Sequence, residues 1–343
     1  MGKKRPSYTE KEAHTSKTSG YLRIYRRYII EQPKPYIKLL RPEIAAMDLA
    51  LPASSALLAT YLLTGGFPPL FPFVLAVIGG YCAIASTYVF NDCCDIDIDT
   101  INLPDRPLIA SEITKKQALL YAFLLFLIAS AVALYLNFES LVVLIAATIA
   151  VSTYSAIAKR ATFLSFLPVG LAYGLVPIGV WLAFDPAGVL NIGAVHSYAS
   201  DPAGVLLPLP AILFGTMICI TDWGFTLSGV ARDIEGDQLR GAPTFPVTFG
   251  VPMTSKLVMT CWICGVALSL AIGYTAHLGL IYLAGAGIGG CWMLLQAADF
   301  VQNPTPERGG RLFLQASSYR AVIFVSMIAN IVALCVIGHG FWF

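Results

Sequence analysis

The sequence predicts an all-α fold, a polytopic membrane protein built as a nine-transmembrane-helix bundle. Of its 343 residues, 57% are hydrophobic and only 12% are charged, whereas about a quarter of the residues in a soluble domain are charged. Apolar stretches of about twenty residues recur along the chain, which is the length at which a helix crosses a bilayer. Nine stretches qualify as spans 1 to 9, at 43–64, 69–90, 117–137, 139–158, 163–184, 206–228, 253–275, 278–299 and 319–341.

The positive charges support this count because they alternate between loops. Eleven of the 22 Lys and Arg residues precede span 1, and the others lie in or beside the 2–3, 4–5, 6–7 and 8–9 connections. A missed or invented span would put basic residues on both sides of the membrane. By the positive-inside rule, the N-terminus and the loops with carboxylate clusters are expected in the cytoplasm. We predict a basic tail over 1–40 and one membrane domain over 41–343.

An acidic cluster directly follows span 2, in the sequence NDCCDIDIDTINLPDRP that begins at Asn91. If the helix continues, Asp92, Asp95 and Asp99 share one face with Asn91, and Asp97 points to the opposite side. Unpaired carboxylates this close repel one another strongly, and a divalent cation relieves that repulsion. The cluster offers oxygen ligands without His, which favours Mg²⁺ over zinc. A solvated acidic loop is the alternative interpretation.

A second acidic cluster follows span 6, in the sequence ARDIEGDQLRGAPTFPVTFG. Asp233 and Asp237 are four residues apart and so share a helical face. Because spans 2 and 6 are four apart in order, we predict two parallel four-helix pseudo-repeats plus one extra helix. Membrane proteins with internal repeats commonly place their site where the halves meet. Two acidic faces opposed across a cavity would hold two Mg²⁺ ions, which a diphosphate could bridge.

Basic residues near the two clusters are candidates to bind this diphosphate. Arg offers paired contacts to phosphate oxygens, and Lys offers a point charge. The candidates are Arg41, Arg106, Lys159, Arg160 and Arg240. The alternative role for each of them is an ordinary charge that sets the topology.

A diphosphate held over an apolar, membrane-embedded cavity indicates an isoprenyl diphosphate as the substrate. With the leaving group on a metal, its C1–O bond can ionise to an allylic carbocation, which aromatic faces stabilise. The membrane interior would accept the apolar chain and exclude the water that quenches such a cation. Aromatic candidates in nearby spans are Tyr88, Tyr154, Tyr173, Trp181 and Trp223.

The four histidines lie away from the acidic clusters in the sequence, at His14, His196, His277 and His339. A proton that leaves an acceptor is therefore expected to pass to a second-cluster carboxylate, to the diphosphate or to water. Acids within membrane spans are functional candidates by default. Asp233 is one candidate, and Asp222, three turns earlier on nearly the same face, is another.

The motifs resemble those of the UbiA-type intramembrane prenyltransferases. The first signature of that family, NDxxDxxxD, is matched at its four specified positions from Asn91 to Asp99, and DIEGD at 233–237 resembles the second. TYSAIAKR at 153–160 is similar to a stretch of the family that carries Tyr and Lys. The resemblance implies a nine-helix bundle, two Mg²⁺ ions, and transfer of a prenyl group from its diphosphate to an acceptor that is usually aromatic.

We therefore expect a Mg²⁺-dependent prenyltransferase that acts in the membrane on an isoprenyl diphosphate and a hydrophobic acceptor, aromatic or lipid, with no nucleic-acid partner. A terpene cyclase on the same scaffold is the main alternative, and it needs no acceptor because the cation attacks its own double bonds. A transporter is a third alternative, disfavoured because the acids gather at one membrane face. Neither the prenyl chain length nor the acceptor can be determined from the sequence.

Overall fold

The computed structural model describes residues 33–184 and 207–337 of the chain. Within these residues every regular element is helical, and nine helices are long and apolar enough to cross a membrane. The predicted fold class and the nine spans are confirmed. In order, the spans run over Ala45–Thr64, Leu70–Cys94, Lys115–Leu136, Phe138–Ala161, Phe163–Phe184, Leu209–Arg232, Val251–Thr275, Leu280–Gln302 and Pro306–Val336.

The predicted tail over 1–40 lies mostly outside the described residues. Its last part forms a short helix, Pro33–Leu39, which packs on span 2. Leu39, Val89 and Ile113 belong to one buried cluster that joins this helix to span 2 and to the 2–3 connection. The cluster holds the 2–3 connection, and with it Arg106, over the end of span 2.

Span 9 begins at Pro306, well before its predicted start at 319. Its first turns are polar, so hydropathy alone assigned them to a loop. Two consecutive glycines let these turns pack against the end of span 6, because a Cβ on Gly309 would lie 3.0 Å from the carbonyl oxygen of Ser228. Arg320, predicted to flank the 8–9 connection, therefore lies well inside the last helix.

The nine spans close into a ring in chain order. Each span packs against the next, and span 9 returns to span 1. Span 5 also contacts span 1, and span 9 also contacts span 6, across the interior of the ring. The up-and-down order brings the ends of spans 2, 4 and 6 together with the starts of spans 1, 5 and 9. We call this the site end of the bundle.

Spans 5 and 6 approach closely where two glycines meet. A Cβ on Gly174 would lie 2.8 Å from the carbonyl oxygen of Gly215, and a Cβ on Gly215 would lie 3.0 Å from that of Gly174. Small residues at a crossing let two membrane helices bring their backbones together. Nearer the site end, Trp223 donates its indole N–H to the carbonyl oxygen of Leu167 at 3.1 Å. These contacts fix span 6, which carries the second acidic motif.

Candidate active site

Spans 2 and 6 end in the same way, each at the first aspartate of a D-x-x-x-D sequence. Asp95 (φ −102°, ψ 15°) and Asp233 (φ −90°, ψ 11°) both leave the helical conformation. A short helix follows each break, Ile96–Asn102 after the first and Ile234–Leu239 after the second. The helix of span 2 thus does not run unbroken through the cluster. The same backbone pattern, a helix that breaks at an aspartate and continues as a short helix, follows both span 2 and span 6. This similarity supports the predicted pair of repeats.

The two short helices pack directly against each other through Asn102, which the sequence analysis missed. Its amide nitrogen donates to the carbonyl oxygen of Asp233 at 2.9 Å, and its side-chain oxygen accepts from the backbone N–H of Gly236 at 3.0 Å. A Cβ at Gly236 would lie only 2.5 Å from the Asn102 amide nitrogen, so glycine permits this approach. The contact places the two acidic motifs side by side.

Lys159 joins the two motifs from span 4. Its ammonium Nζ lies 2.8 Å from Asp95 Oδ2 and 3.5 Å from Asp237 Oδ1. The residue follows a π-helical turn, Tyr154–Ala158, and such turns often occur at functional sites because they re-aim the side chains around them. From the same turn, Ser155 accepts a hydrogen bond from Asn91 at 3.2 Å, and Asn91 also donates to Asp95 at 3.1 Å.

Two arginines pair with the other carboxylates of the first motif. Arg106 Nη1 lies 2.7 Å from Asp92 Oδ1 and 2.5 Å from Asp99 Oδ2. Arg41 Nη2 lies 2.9 Å from the same Asp92 oxygen. Arg41 has a φ of 53°, which is uncommon for a residue with a side chain and concentrates at functional sites. Both arginines face the carboxylates of the first motif, and their role as diphosphate ligands stays a prediction.

Arg232 is a site residue that the sequence analysis assigned only to topology. It donates to both oxygens of Asp233, at 2.6 and 2.8 Å, and its guanidinium lies 5.2 Å from the ring centre of Phe313. Its position directly before the second motif was the available signal, since a side chain at that point reaches the same end of the bundle. The second motif thus has its own arginine.

These residues surround one cavity of about 760 Å³, which we call the active-site cavity. Asp92 and Asp237 lie behind its wall, Asp92 in contact with Arg41 and Arg106, and Asp237 beside Lys159. Nine of the predicted site residues line it directly: Arg41, Asn91, Asp95, Asp99, Arg106, Tyr154, Lys159, Asp222 and Asp233.

A second opening of about 1000 Å³, the vestibule, adjoins the active-site cavity at the start of span 1. The two share Arg41, Arg106, Arg232 and Phe313 in their walls. Lys38 adds a further cation to the vestibule, where it pairs with Glu112 at 2.8 Å. Two of the diphosphate-binding candidates, Arg41 and Arg106, are therefore accessible from two sides.

Two carboxylate oxygens in the site suit a bound cation. Asp95 Oδ1 and Asp237 Oδ1 are buried and accept no hydrogen bond, and the Lys159 ammonium lies 3.5 Å from Asp237 Oδ1. Buried polar atoms normally have a partner, and all-oxygen ligands are the chemistry that Mg²⁺ prefers. Among the residues that the structure describes, no three Asp, Glu, His or Cys side chains converge in a metal-binding group.

Two carboxylates of the short helices have raised pKa values. Burial raises the pKa of Asp99 to about 6, because the attraction of Arg106 offsets burial only in part and Asp92 and Asp95 add repulsion. Burial also raises the pKa of Asp237 to about 6, against the attraction of Lys159 and a hydrogen bond from Thr244. Burial is the main cause of both shifts, and a cation bound beside these carboxylates would favour their charged forms.

The structure does not bring Arg160 and Arg240 to the active-site cavity. Arg160 donates to both oxygens of Asp97, at 2.6 and 3.0 Å, on the outer side of the first short helix. This hydrogen bonding lowers the pKa of Asp97. Arg240 donates to the carbonyl oxygen of Asp97 at 3.1 Å. Both arginines fasten the short helix from outside, so neither is placed to bind a diphosphate.

Aromatic rings line the deeper wall of the active-site cavity. Tyr88, Tyr154 and Tyr173 are there, as expected, and Phe225 joins them, stacked on Phe313 with ring centres 4.0 Å apart. Two other predicted aromatics do not line the cavity: Trp181 is buried in the core and Trp223 packs between spans 5 and 6. His277 follows span 7 at the opposite end of the bundle, and the other histidines lie outside the described residues.

Asp222 lies deep in the bundle, eleven positions before Asp233 and thus roughly 16 Å along the helix. It is fully buried and accepts a hydrogen bond from Arg320 at 3.0 Å. The Arg320 guanidinium lies 5.8 Å from the ring centre of Tyr173 and 5.6 Å from that of Phe225. Asp222 therefore borders the cavity with its charge already paired, far from the motif carboxylates.

Removing one partner of this buried pair is expected to destabilise the protein more than removing both. Arg320→Met leaves Asp222 as an uncompensated buried charge and should lower the free energy of unfolding by about 3–5 kcal/mol. The double variant Asp222→Leu with Arg320→Met should recover most of that loss, because the two opposite charges of the pair are removed together. Denaturant unfolding in detergent micelles measures both free energies. A double variant as unstable as Arg320→Met would contradict this interpretation.

A closed ring of nine spans, with two acidic motifs and several cations around one cavity, defines a class of intramembrane enzymes that act on diphosphate-bearing lipids. Residues 53–328 match the model of the UbiA prenyltransferase family, and the chain belongs to that family. It is a multi-pass membrane prenyltransferase that acts on an isoprenyl diphosphate. The family resemblance of the motifs is thereby confirmed.

Relatives of known name match nearly the whole chain. The digeranylgeranylglyceryl phosphate synthase of Thermococcus sibiricus is 25% identical over 279 residues, which cover 81% of this chain and 90% of that protein. The protoheme IX farnesyltransferase of Cutibacterium acnes is 26% identical over 335 residues, which cover 93% of this chain and 90% of that protein. Relatives at similar identity thus differ in the reaction that their names state.

Two solved structures share the fold. A UbiA homolog from Aeropyrum pernix superposes with a TM-score of 0.66 at 21% identity, over 83% of this chain and 97% of that one. A UbiA homolog from Archaeoglobus fulgidus, bound to GPP and Mg²⁺, superposes with a TM-score of 0.53 at 16% identity, over 86% of this chain and 100% of that one. At these sequence identities, the similarity to the two structures shows that the fold is shared.

Proposed function

We propose that the chain transfers a prenyl group from an isoprenyl diphosphate to a hydrophobic acceptor, aromatic or lipid, with Mg²⁺ and through an allylic carbocation. One observation carries this proposal: a single ammonium, Lys159 Nζ, lies within 3.5 Å of a carboxylate oxygen from each acidic motif. The two motifs are therefore close enough for one diphosphate to reach both. The homolog from Archaeoglobus fulgidus that binds GPP and Mg²⁺ supports the same ligands here.

The residues that would hold Mg²⁺ come from both motifs. Asp95 and Asp237 are the best supported, because each has a buried oxygen without a hydrogen-bond partner. The full proposed set is Asn91, Asp92, Asp95 and Asp99 from the first motif and Asp233 and Asp237 from the second. When bound, Mg²⁺ would neutralise the diphosphate and favour its departure as a leaving group.

The cations of the site would bind the diphosphate oxygens. Arg41, Arg106 and Lys159 line the active-site cavity, and the carboxylates that now pair with them keep them oriented. Arg232 extends this set from span 6. Such preorganised donors stabilise charge that develops on a leaving group, because they need no reorganisation during the reaction.

In the transfer step, the C1–O bond breaks and its electron pair leaves with the diphosphate. The resulting allylic cation would lie near the faces of Tyr88, Tyr154 and Tyr173, which stabilise positive charge. An acceptor then bonds to C1 and gives up a proton. Each of the two candidate acids is paired with an arginine, Asp233 with Arg232 and Asp222 with Arg320. Asp233 is the better placed to take that proton, because it lies in the layer of the diphosphate-binding cations, whereas Asp222 lies roughly 16 Å deeper along the helix.

The vestibule favours a transferase over a terpene cyclase. It adjoins the active-site cavity through shared walls, so the polar group of an acceptor has an approach that the prenyl chain need not use. A cyclase needs no second route, since its cation attacks double bonds of the same chain. The basic residues at the site end, together with the positive-inside rule, place this end in the cytoplasm in our proposal.

Analysis of the lipids in a host that expresses the chain would test the proposed reaction. Membranes from that host, supplied with a labelled isoprenyl diphosphate and Mg²⁺, should form a labelled prenylated acceptor that mass spectrometry detects. Chelation with EDTA should stop the reaction, and added Mg²⁺ should restore it. A labelled cyclic hydrocarbon formed by purified protein without acceptor would instead establish the cyclase.

A further inference from the structure

Resting on the proposed function, we infer that Asp48 and Tyr88 are positioning residues, which hold the Arg41 guanidinium in place for the diphosphate through a chain of contacts. Tyr88, in span 2, donates its hydroxyl to Asp48 Oδ2, in span 1, at 2.8 Å. The Arg41 guanidinium carbon lies 4.4 Å from the centre of the Tyr88 ring. The ring therefore connects a buried carboxylate to a cation that lines the active-site cavity.

Asp48 is an acid within a membrane span that the proposed transfer step does not use. It lies in the first turn of span 1 and is fully buried. A buried charge is costly, and acids inside membrane spans are functional candidates by default. Its Oδ1 accepts no hydrogen bond from the residues that the structure describes. Arg41 and Arg320 attract its charge, but they form their ion pairs with other aspartates. The contact through which Asp48 reaches the site is therefore the Tyr88 hydroxyl.

The hydrogen bond to Asp48 fixes the orientation of the Tyr88 ring. A hydroxyl that donates to a carboxylate forms a stronger hydrogen bond than a neutral pair does, and the ring cannot tilt without breaking it. An aromatic ring attracts a cation only over its face, so the tilt of the ring decides how strongly it holds Arg41. Asp48 thus acts on the guanidinium without touching it.

Arg41 needs this support because its other contact is with a proposed metal ligand. Its backbone is held in the left-handed region, with a φ of 53°, in the turn between the short helix Pro33–Leu39 and span 1. Its side chain pairs with Asp92 at 2.9 Å, and a metal ion would compete for that carboxylate. Of these two contacts, only the Tyr88 ring would stay available to Arg41 once Asp92 serves a metal ion.

Removing the Tyr88 hydroxyl should weaken the binding of a diphosphate. Tyr88→Phe keeps the ring and loses the hydrogen bond, so the Kd for inorganic pyrophosphate with Mg²⁺ should rise on the order of tenfold. Asp48→Leu should have the same effect. Asp48→Asn keeps an oxygen that accepts the hydroxyl and should stay within about threefold of the unmodified protein. An equal loss in Asp48→Asn and Asp48→Leu would show that the acid acts through its charge and would overturn the inference.

Calorimetry on the purified full chain, titrated with inorganic pyrophosphate in the presence of Mg²⁺, measures these affinities. The decisive comparison repeats Tyr88→Phe in an Arg41→Met background. There the hydroxyl has no guanidinium to position, so Tyr88→Phe should change the Kd by less than about twofold. An equal loss of affinity with and without Arg41 would show that Tyr88 acts independently of it, which would also overturn the inference.

Tyr282→Phe is the matched control for the loss of a buried hydroxyl. Tyr282 lies in span 8 and donates to the carbonyl oxygen of Ser269 at 2.9 Å, outside the walls of both site cavities. Its variant should keep the unmodified affinity even if its Tm falls. The same loss of affinity in Tyr282→Phe as in Tyr88→Phe would mean that affinity follows stability alone. Unmodified affinity in Tyr88→Phe would overturn only this inference, whereas an unmodified chain that binds neither pyrophosphate nor geranyl diphosphate would overturn the proposed function itself.

Discussion

Asp95→Ala is expected to lower kcat/KM for an isoprenyl diphosphate by on the order of 10³-fold or more. Asp95 stands at the break between span 2 and the first short helix, where one oxygen accepts hydrogen bonds from Asn91 and Lys159 and the other is buried without a partner. Its loss would remove a candidate metal ligand and the partner that orients Lys159. Steady-state kinetics on purified protein would measure the effect.

Asp97→Ala is the matched control for Asp95→Ala. Asp97 belongs to the same acidic cluster, but its side chain is 45% exposed and pairs with Arg160. Exposed ion pairs contribute little to stability, and Asp97 does not line the active-site cavity. We therefore expect the activity of Asp97→Ala to be within about twofold of that of the unmodified protein. An inactive Asp97→Ala, or an active Asp95→Ala, would show that the buried face of the first short helix is not the ligand face.

Lys159→Met is expected to lower kcat by on the order of 10²- to 10³-fold, because it removes the one cation among the described residues that forms ion pairs with both motifs. Methionine keeps the length and the apolar stem of lysine, which is 5% exposed, so the change is chiefly one of charge. It also leaves the carboxylates of Asp95 and Asp237 without their ammonium. We therefore expect a lower Tm as well.

The comparison with Lys115→Met separates the role of this position from a general loss of positive charge. Lys115 begins span 3, is exposed and lies outside the walls of both site cavities. Its substitution should leave both kcat and Tm close to those of the unmodified protein. Equal losses of kcat in the two variants would mean that Lys159 acts only through the overall charge of the site end.

The architecture was predictable from the sequence because its signals are local. Apolar stretches of the length of a bilayer give the number of spans, and the alternation of Lys and Arg supports their order. The face shared by Asp92, Asp95 and Asp99 follows from helical periodicity, and these three side chains are buried in the structure while Asp97 is exposed. The start of span 9 was missed because its polar first turns are helical only through packing on span 6.

The side-chain pairs of the site were less predictable because they depend on packing between distant segments. Arg160 and Lys159 are adjacent in sequence, yet Lys159 faces both motifs and Arg160 faces Asp97 on the outside. The π-helical turn before them sets these directions, and no residue pattern marks it. Arg320 was predicted to flank the 8–9 connection at the start of span 9, although it lies against Asp222 inside the ring.

The sequence by itself determined that this protein crosses the membrane nine times and carries two related acidic motifs at one end of the bundle. Hydropathy and helical period are properties of neighbouring residues, so they need no knowledge of the fold. Only the tertiary structure decided which cations enter the cavity, how deep Asp222 lies and how Asn102 joins the two short helices. Each of these depends on contacts between helices far apart in the chain, and such distances exist only after the ring has closed.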